Sequence, residues 1–358
     1  MRILWDMRLF SYGYGQRGCG TWTKAMALAI KEASKAARHE VIIWGNKDHV
    51  PEEIACCAST WIAYKKGNWK TDLLFIPFLI VRHRIRVFHY WVAMGPLFKM
   101  GMGLFHPKCK ACLCIHDIGV EYCRDYPFGE HIRKTYYWKT QKHLLSRQSL
   151  VCSNSIQTKN EILKLTKGTL QSFVLYMPVV ENSVLNENLQ SEPRKKMFIT
   201  LGGALHKNIA TVIRAFGLFQ MQNPNFSLII CGTVGKEELP PATYEKVFFE
   251  DYSKYEYYLE NATAMIIASN YEGLGIPLLE AMNYSCPLIA SDIEVFHESC
   301  GDGARYVDPK NAQSINEAMQ DVEANQQQWA RKSACAASRY RKMSEHAGKQ
   351  WLKMYETM

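Results

Sequence analysis

Two glutamates with seven residues between them flank a turn rich in glycine and proline. Glu272 precedes Gly273 and Gly275, and Glu280 follows Pro277 in an apolar run with helical character. Glycine lets a backbone approach a ligand closely, and proline suits the first turn of a helix, where its missing N–H is not needed. The free N–H groups of that turn attract an anion such as a diphosphate. The pattern therefore predicts a sugar-nucleotide site; the alternative is an ordinary loop before a buried helix.

A lysine in an earlier glycine-containing loop could face the same diphosphate. Residues 201–208 read LGGALHKN and separate a predicted strand from a predicted helix. Gly203 favours a tight turn, and Lys207 stands near the start of the helix, where a diphosphate would bind. Preorganised positive charge on a leaving group is a large contribution to catalysis. Taken alone, Lys207 also fits a surface lysine beside a helix cap.

Two segments of the first half carry further candidates. The sequence RGCGT, with Arg17, Gly18 and Gly20, follows the first predicted strand but lacks the full G-x-G-x-x-G pattern. No acidic residue ends the second strand either, which counts against a dinucleotide fold. His116 and Asp117 end another predicted strand, and ligands of open α/β sheets bind beyond the carboxyl ends of strands. His116 is therefore predicted to contact a ligand; the alternative is a structural histidine.

The elements that must position these residues alternate between strands and helices. Short apolar runs predict strands over 3–5, 41–44, 87–89, 113–115, 150–152, 173–176, 198–201, 228–231, 247–249, 265–267 and 288–290. Helical patterns cover about 22–34, 131–146, 157–165, 208–221 and much of 314–358. A polar stretch at 181–196 separates two such runs. The fold class predicted is α/β, with two Rossmann-like domains whose parallel sheets face each other across a cleft.

The charge of the chain is concentrated in its first half. The 358 residues carry a net charge of +9 and are 47% hydrophobic, enough for a sizeable core. Residues 1–180 hold 26 Lys and Arg against 12 Asp and Glu, a net charge of +14, whereas 181–358 hold 17 against 22, a net charge of −5. A basic half suggests an anionic lipid, a lipid-diphosphate acceptor or nucleic acid as partner; a solvated basic face is the alternative.

Cysteines and one apolar run raise two further hypotheses. The chain has 12 cysteines and begins without a signal-peptide pattern, so the thiols are expected to be reduced. Cys109, Cys112 and Cys114, with His106 nearby, suggest a metal site, but no second C-x-x-C pair exists and a buried strand is the favoured interpretation. The apolar run 73–81 is too short to span a membrane and has basic flanks. It fits a membrane surface or a core element.

The glutamate motif resembles the E-x7-E signature of retaining glycosyltransferases of family 4, which have the GT-B fold. Residues 287–292 (PLIASD), Glu298 and 306–309 (YVDP) continue the resemblance in the order of that family's C-terminal half. The resemblance covers most of the chain and is strongest from about 198 to 309. It implies a sugar transferase that uses a nucleoside-diphosphate sugar without a metal ion or cofactor.

The resemblance also implies roles for single residues. Catalytic roles fall to His116, Lys207 and Glu272, with Lys207 on the donor diphosphate and Glu272 on the donor sugar hydroxyls. Glu280 would hold the ribose. The donor-binding set is Gly18, Gly20, Gly203, Lys207, Gly273, Leu274, Gly275, Ile276, Pro277 and Glu280, and the acceptor set is Arg17, His116 and Asp117. One departure from the family pattern is His206, which stands where Arg is common.

The domain organisation and partners follow from the same resemblance. Residues 1–180 would form an acceptor-binding domain, residues 181–338 a donor-binding domain, and the last helix, 339–358, would return to the first domain. The expected partners are a nucleotide sugar (GDP-mannose or a UDP-sugar), a glycan or lipid-linked acceptor and an anionic membrane surface at the cytoplasmic face, but no nucleic acid. A nucleotide-sugar 2-epimerase of the same fold and a non-catalytic binding module are the alternatives.

Overall fold

The computed structural model describes residues 1–12, 18–34, 39–63, 69–91, 109–118, 150–168, 172–179, 194–203, 205–233 and 246–357. The chain divides into two compact units. The first comprises Met1–Val179 together with Met343–Met358, and the second comprises Val180–Lys342. Arg17, His106, the predicted helix 131–146 and most of the predicted linker lie outside the described residues.

The first unit is built on a parallel sheet of seven strands in the order β3-β2-β1-β4-β5-β6-β7. Its strands are β1 (Arg2–Asp6), β2 (Glu40–Gly45), β3 (Thr60–Ala63), β4 (Val87–Tyr90), β5 (Lys110–Ile115), β6 (Leu150–Ser153) and β7 (Ser172–Val174). Its helices are α1 (Gly18–Ala33), α2 (Glu52–Ala55), α3 (Trp69–His83), α4 (Ile156–Leu165) and α11 (Ala347–Thr357). The cysteine-rich segment is strand β5, as the favoured interpretation predicted. Strand β3 was not predicted.

The last helix, α11, completes the core of the first unit. Gly348 packs so closely against α1 that a Cβ there would lie 2.2 Å from the carbonyl oxygen of Ala29. Trp351 stacks on His89 of β4 with ring centroids 4.7 Å apart. The Tyr355 hydroxyl hydrogen-bonds Nδ1 of His89 at 2.5 Å. These buried contacts attach the end of the chain to the centre of the first sheet.

The second unit has a parallel sheet of six strands in the order β10-β9-β8-β11-β12-β13. Its strands are β8 (Lys195–Leu201), β9 (Ser227–Cys231), β10 (Val247–Glu250), β11 (Ala262–Ile267), β12 (Leu288–Ser291) and β13 (Ala304–Val307). Its helices are α5 (Ile209–Gln220), α6 (Tyr255–Asn261), α7 (Ile276–Asn283), α8 (Glu294–Cys300), α9 (Ala312–Ala324) and most of α10 (Gln326–Ser344). Two parallel-sheet α/β units confirm the predicted fold class.

Helix α5 shows how the sequence pattern becomes a core. The apolar residues of its predicted inner face recur every three or four positions and are all buried: Ile209, Val212, Ile213, Phe216 and Phe219. They pack against the sheet beside Phe198 of β8. This packing holds the carboxyl end of β8, and the loop that follows it, in a fixed position.

The apolar run 73–81 lies in α3, where it forms part of the first core. Ile76, Leu79 and Ile80 are buried among residues of β1, β2 and β4. No helix in the described part of the chain is both long and apolar enough to cross a membrane. Other residues of the run remain exposed.

Candidate functional site

Two neighbouring strands of the second sheet bring the predicted donor residues together. β8 and β11 are adjacent and parallel, with Ile199 opposite Met265. Their carboxyl ends therefore lie at the same edge, and the loops that follow them touch. The backbone N–H of Asn270 donates to the carbonyl oxygen of His206 at 2.9 Å. Lys207 and Glu272, far apart in sequence, contact each other as a result.

Lys207 and Glu272 form an ion pair with little exposure to solvent. The Lys207 ammonium donates to Glu272 Oε1, which also accepts a 2.9 Å hydrogen bond from Ser269 Oγ. The two side chains are only 16% and 14% exposed. Burial alone would raise the pKa of Glu272, but the charges of Lys207 and His206 and these hydrogen bonds hold that pKa below its usual value. Glu272 is thus a carboxylate at neutral pH, ready to accept hydrogen bonds.

Asn208 fixes the loop that carries Lys207, a role that the sequence analysis did not assign. Its backbone is left-handed, with φ of 56°, a conformation that Asn tolerates better than most residues. Its side-chain amide donates to the carbonyl oxygens of Ala268 and Pro309, and its Oδ1 accepts from Thr211 at 2.7 Å. The loop after β8 is therefore tied to the ends of β11 and β13. Gly203 lies in the same loop, where an added Cβ would be 3.7 Å from the Lys207 side chain.

The turn before α7 requires glycine for two reasons. Gly275 has a φ of 83°, and a Cβ at that position would lie 2.6 Å from the Phe296 ring. Pro277 falls in the first turn of α7, as predicted. Leu274 and Ile276 have buried side chains, so only their backbone groups could reach a ligand. Gly273 is buried as well. The predicted turn is therefore present, and its backbone groups are the ones that could contact a ligand.

Glu280 has a carboxylate oxygen with no partner. Within the described part of the chain, its Oε2 is buried and accepts no hydrogen bond. Burial raises the pKa of Glu280 to about 7; the Tyr255 hydroxyl offsets part of that rise, and the charge of Glu256 adds to it. Leaving a buried acceptor unsatisfied is unfavourable by about 1–3 kcal/mol. A ligand hydroxyl that donated to this oxygen would recover that energy.

Tyr252 and Tyr255 lie beside Glu280, and the sequence analysis missed them. Both follow strand β10; their rings are 4.7 Å apart and tilted by 31°. Burial and the charge of Glu280 raise the pKa of both phenols. Tyr255 is buried, whereas Tyr252 is 53% exposed and offers a ring face to a ligand. The rule that ligands bind beyond strand ends, applied to His116, could have found them.

His116 follows β5 in the first unit and is held against aromatic residues. Its Nε2 lies 2.9 Å from the carbonyl oxygen of Trp91, and its ring meets the Trp22 ring edge at 4.7 Å. Burial lowers the pKa of His116 to about 4, although the carbonyl contact acts in the opposite direction. The imidazole is therefore neutral at physiological pH. Because a carbonyl oxygen only accepts, Nε2 carries the proton and Nδ1 is left as an acceptor.

The other first-half candidates have different surroundings. Asp117 is exposed directly after His116. Gly18 and Gly20 were predicted in a loop, but they lie in the first turn of α1, which begins four residues earlier than expected. Packing outweighs the low helix propensity of glycine there, because Gly20 and Trp22 are buried and Thr23 Oγ1 bonds the carbonyl oxygen of Cys19 at 2.8 Å.

His89 is similarly placed at the end of β4, but it is completely buried. It is stacked between Trp91 and Trp351. Its Nε2 lies 3.2 Å from Cys114 Sγ. These contacts make it a core residue of the first unit. Among the residues that the structure describes, no group of three or more His, Cys, Asp or Glu is placed to hold a metal ion.

Residues 185–347 match the family described as glycosyl transferases group 1. The matched segment coincides with most of the second unit. It contains Lys207, Glu272 and Glu280, the three charged residues placed at one edge of the second sheet.

Curated relatives that match the chain are bacterial mannosyltransferases. The O-antigen chain mannosyltransferase RfbU of Salmonella typhimurium is 28% identical over 262 residues, which cover 66% of this chain and 70% of the relative. The O-antigen chain mannosyltransferase B of Escherichia coli is 23% identical over 253 residues, which cover 65% of each chain. The match therefore leaves about a third of each of these relatives uncovered.

Solved structures similar to this chain match it over nearly its whole length. Sucrose-phosphate synthase from Thermosynechococcus elongatus has a TM-score of 0.72 at 16% identity and covers 100% of this chain and 98% of its own. Anabaena HepE, solved in complex with UDP and glucose, has a TM-score of 0.72 at 13% identity and covers 100% of both chains. At these identities, the likeness establishes the fold.

Proposed function

We propose that this chain, whose second unit matches the group 1 glycosyl transferases, is a GT-B glycosyltransferase that transfers a hexosyl group from a nucleoside-diphosphate sugar to a glycan or lipid-linked acceptor. Transfer would retain the anomeric configuration, need no metal ion or cofactor, and serve the synthesis of a polysaccharide or glycoconjugate. Mannose is the sugar favoured by the names of the curated relatives, and GDP-mannose is the donor that we propose for it. A UDP-sugar is the alternative, favoured by the UDP in the HepE structure.

This proposal rests on the contact between Lys207 and Glu272 and on the unpartnered Oε2 of Glu280 at the same edge of the sheet. A donor diphosphate would draw the Lys207 ammonium away from Glu272 and place it on the phosphates. Glu272 would then accept hydrogen bonds from the sugar hydroxyls. Glu280 would accept from the ribose hydroxyls through its unpartnered Oε2. The first turn of α7, from Gly275 to Pro277, would add backbone N–H groups near the diphosphate.

The chemistry requires one bond to break and one to form on the same face of the sugar. The bond between the anomeric carbon and the diphosphate oxygen breaks, and its electrons leave with the diphosphate. The acceptor hydroxyl oxygen bonds to that carbon from the face that the diphosphate leaves, and the departing phosphate takes the hydroxyl proton. Lys207 and the α7 turn would stabilise the charge that develops on the leaving group.

The first unit would supply further groups to this reaction, among them a neutral histidine. Because His116 is uncharged with Nδ1 as an acceptor, we assign it to a hydroxyl of the transferred sugar or of the acceptor. Asp117, which is exposed, would bind the acceptor. Gly18 and Gly20, in the first turn of α1, would contribute backbone N–H groups toward the donor phosphates. Arg17 belongs to the acceptor set by resemblance alone.

A nucleotide-release assay tests the proposal. GDP-mannose and UDP-sugars are incubated with the protein, with and without a polyprenyl-diphosphate-linked sugar as acceptor, and released nucleotide and glycan product are both measured. Release that requires the acceptor, continues in EDTA and yields a product with the donor's anomeric configuration supports the proposal. Conversion of the donor without transfer would instead indicate an epimerase, and binding without turnover a non-catalytic module.

The proposed lipid-linked acceptor also suggests where in the cell the protein works. A lipid-linked acceptor is held at a membrane, and the first half of the chain carries a net charge of +14. We therefore propose that the protein works at the cytoplasmic face of an anionic membrane, held there in part by electrostatic attraction.

A further inference from the structure

Helix α3 has one face in the core and another that is apolar but exposed. Its inner face contributes Ile76, Leu79 and Ile80 to the first core. On its outer face, Phe75, Phe78 and Val81 are 37%, 56% and 61% exposed. Phe75 rests partly on Trp44, and its ring stacks on that of Phe78 with centroids 6.0 Å apart. Three large apolar side chains thus form one exposed surface along a single helix, the α3 outer face.

Positive charge follows this surface directly. Arg82, Arg84 and Arg86 are all exposed, and none of them forms an ion pair with a described residue. Lys110, exposed at the start of β5, lies next to them, because its backbone N–H donates to the carbonyl oxygen of Arg86 at 2.8 Å. Burial lowers the pKa of His83, and the charges of Arg82 and Arg2 lower that pKa further. The end of α3 is therefore a region of concentrated positive charge.

The size of the apolar surface argues against a stable protein partner. An aromatic side chain buries about 150–250 Å² when fully covered, so the three exposed apolar side chains among the described residues of α3 offer roughly 300 Å². A stable protein interface buries about 800 Å² on each partner. Apolar side chains beside arginines that pair with no described residue instead match a helix lying in a membrane interface, whose apolar face enters the acyl boundary while arginines contact anionic headgroups.

We infer that the α3 outer face docks on the surface of an anionic lipid bilayer, with Phe78 and Val81 entering the acyl boundary and Arg82, Arg84 and Arg86 contacting the headgroups. The purpose of this docking rests on the proposed function, because a lipid-linked acceptor would be held in the same bilayer.

The direction of α3 would allow a bilayer docked on this helix to reach the carboxyl edge of the first sheet. β3 and β4 belong to the same parallel sheet, so the helix that joins them runs antiparallel to the strands. Its first turn lies near the carboxyl edge, and its last turn near the amino edge, where the backbone N–H of Arg86 donates to the carbonyl oxygen of Arg2 at 3.0 Å. A bilayer lying along α3 would therefore also extend to the carboxyl edge, where His116 follows β5.

Vesicle co-sedimentation of the whole protein tests the inference. Vesicles of phosphatidylcholine alone are compared with vesicles that also contain phosphatidylglycerol. Wild type is expected to bind the anionic vesicles and to release as salt is raised. Phe78→Ser with Val81→Ser should weaken this binding about tenfold, from the lost burial of apolar surface. Replacing Arg82, Arg84 and Arg86 by Gln should weaken it by about a hundredfold at low salt, at roughly 1 kcal/mol for each arginine.

The matched control is Phe248→Ser with Phe249→Ser in the second unit. These phenylalanines are 47% and 52% exposed, similar to the α3 pair, and should not affect vesicle binding. The inference would be overturned if wild type bound both vesicle types equally. It would also be overturned if the α3 variants bound anionic vesicles like wild type, or if the control lost as much vesicle binding as they do. A dimer of the wild type, detected by light scattering, that is lost in the Phe78→Ser, Val81→Ser variant and kept in the control would also overturn the inference.

A separate readout distinguishes this inference from the proposed function. Nucleotide affinity, and nucleotide release with a water-soluble acceptor analogue, should be unchanged in both α3 variants. Normal release with no vesicle binding in wild type would reject the docking surface alone. Normal vesicle binding with no nucleotide release would reject the transferase proposal and leave the docking surface standing.

Discussion

The carboxyl edges of the two sheets differ in the candidate ligand-binding side chains that they carry. In the second unit, the edge holds the ion pair of Lys207 with Glu272 and the carboxyl of Glu280. In the first unit, the corresponding edge holds His116, which is neutral and lies against the ring of Trp22. The same edge also holds the buried ion pair of Arg8 with Asp6 at the end of β1, and the exposed Asp117. The ions of the second unit suit a charged diphosphate, whereas the neutral His116, an acceptor of hydrogen bonds, suits sugar hydroxyls. The difference supports the proposal that the second unit binds the nucleotide and that His116 of the first unit contacts a hydroxyl.

Lys207→Ala should show the largest effect, because it removes the charge assigned to the leaving diphosphate. Turnover is expected to fall by about 10²–10³, the usual loss for one preorganised donor to a developing anion. Nucleotide affinity, measured by calorimetry, should also fall. Lys246→Ala is the matched control, since Lys246 precedes β10 at the opposite edge of the same sheet. Unchanged nucleotide affinity in both Lys207→Ala and Glu280→Ala would reject the donor site.

His116→Ala tests the other side of the comparison. Turnover should fall by about 10–10², the loss expected when one positioning hydrogen bond to a reacting sugar is removed. Nucleotide affinity should stay within about twofold of wild type, because the nucleotide is assigned to the second unit. Steady-state kinetics and calorimetry on the same preparation separate the two quantities. A large loss of nucleotide affinity would break the proposed division of work.

Glu280→Gln should weaken nucleotide binding by about tenfold, since hydrogen bonds to a charged group contribute about 1.5–3 kcal/mol and the amide keeps only part of that. Glu260→Gln is a suitable control, because Glu260 is exposed near the end of the same helix, α6. Competition by free ribonucleosides should weaken in parallel, and competition by inorganic pyrophosphate should not. Equal effects on both competitors would place Glu280 away from the ribose.

Tyr252→Ala tests whether the base of the nucleotide stacks on the Tyr252 ring. Stacking of a base on an aromatic ring contributes about 1–3 kcal/mol, so affinity for UDP or GDP should fall about tenfold. Tyr252→Phe keeps the ring face and should bind like wild type. A thermal-shift series with UDP, GDP, dTDP and ADP measures the change for each base. A loss in Tyr252→Phe equal to that in Tyr252→Ala would argue for the hydroxyl and against stacking.

Acidification should produce the smallest effect, and with opposite signs for binding and folding. The pKa of Glu280 is raised to about 7, so lowering the pH from 8 to 6 protonates it and should weaken nucleotide binding several-fold. The same group is protonated more readily in the folded than in the unfolded protein, so its contribution to stability without ligand should become more favourable as the pH falls through 7. Titrating wild type and Glu280→Gln by calorimetry and thermal unfolding checks both signs.

The second unit could be predicted from the sequence more completely than the first. Glycine, proline and glutamate in the turn before α7 each have a local physical reason to be there, and Gly275 and Pro277 take the expected positions. The contact of Lys207 with Glu272 required only that two loops follow adjacent strands. Local rules were sufficient for the turn before α7, because its requirements are met by backbone geometry, but they did not identify Asn208, Tyr252 or Tyr255.

The features that escaped prediction depend on packing between distant segments. Gly18 and Gly20 lie in α1 because the helix is fixed by buried contacts, against the local preference of glycine. Strand β3, with the half-exposed Trp61 and Ile62, lacks the strong apolar signal of the central strands. The unpartnered oxygen of Glu280 and the neutral state of His116 result from burial, which a sequence does not display.

The attachment of α11 to the first sheet has a consequence for the order in which the protein can fold. Trp5 Nε1 donates to the Tyr355 hydroxyl at 3.2 Å, across 350 positions of sequence. During synthesis, the whole second unit is made before Trp351 and Tyr355 are added to the chain. Domains usually fold as they emerge, the N-terminal one first. Here, the first-made unit must wait for the residues made after the second, so the second unit is expected to reach its native core earlier.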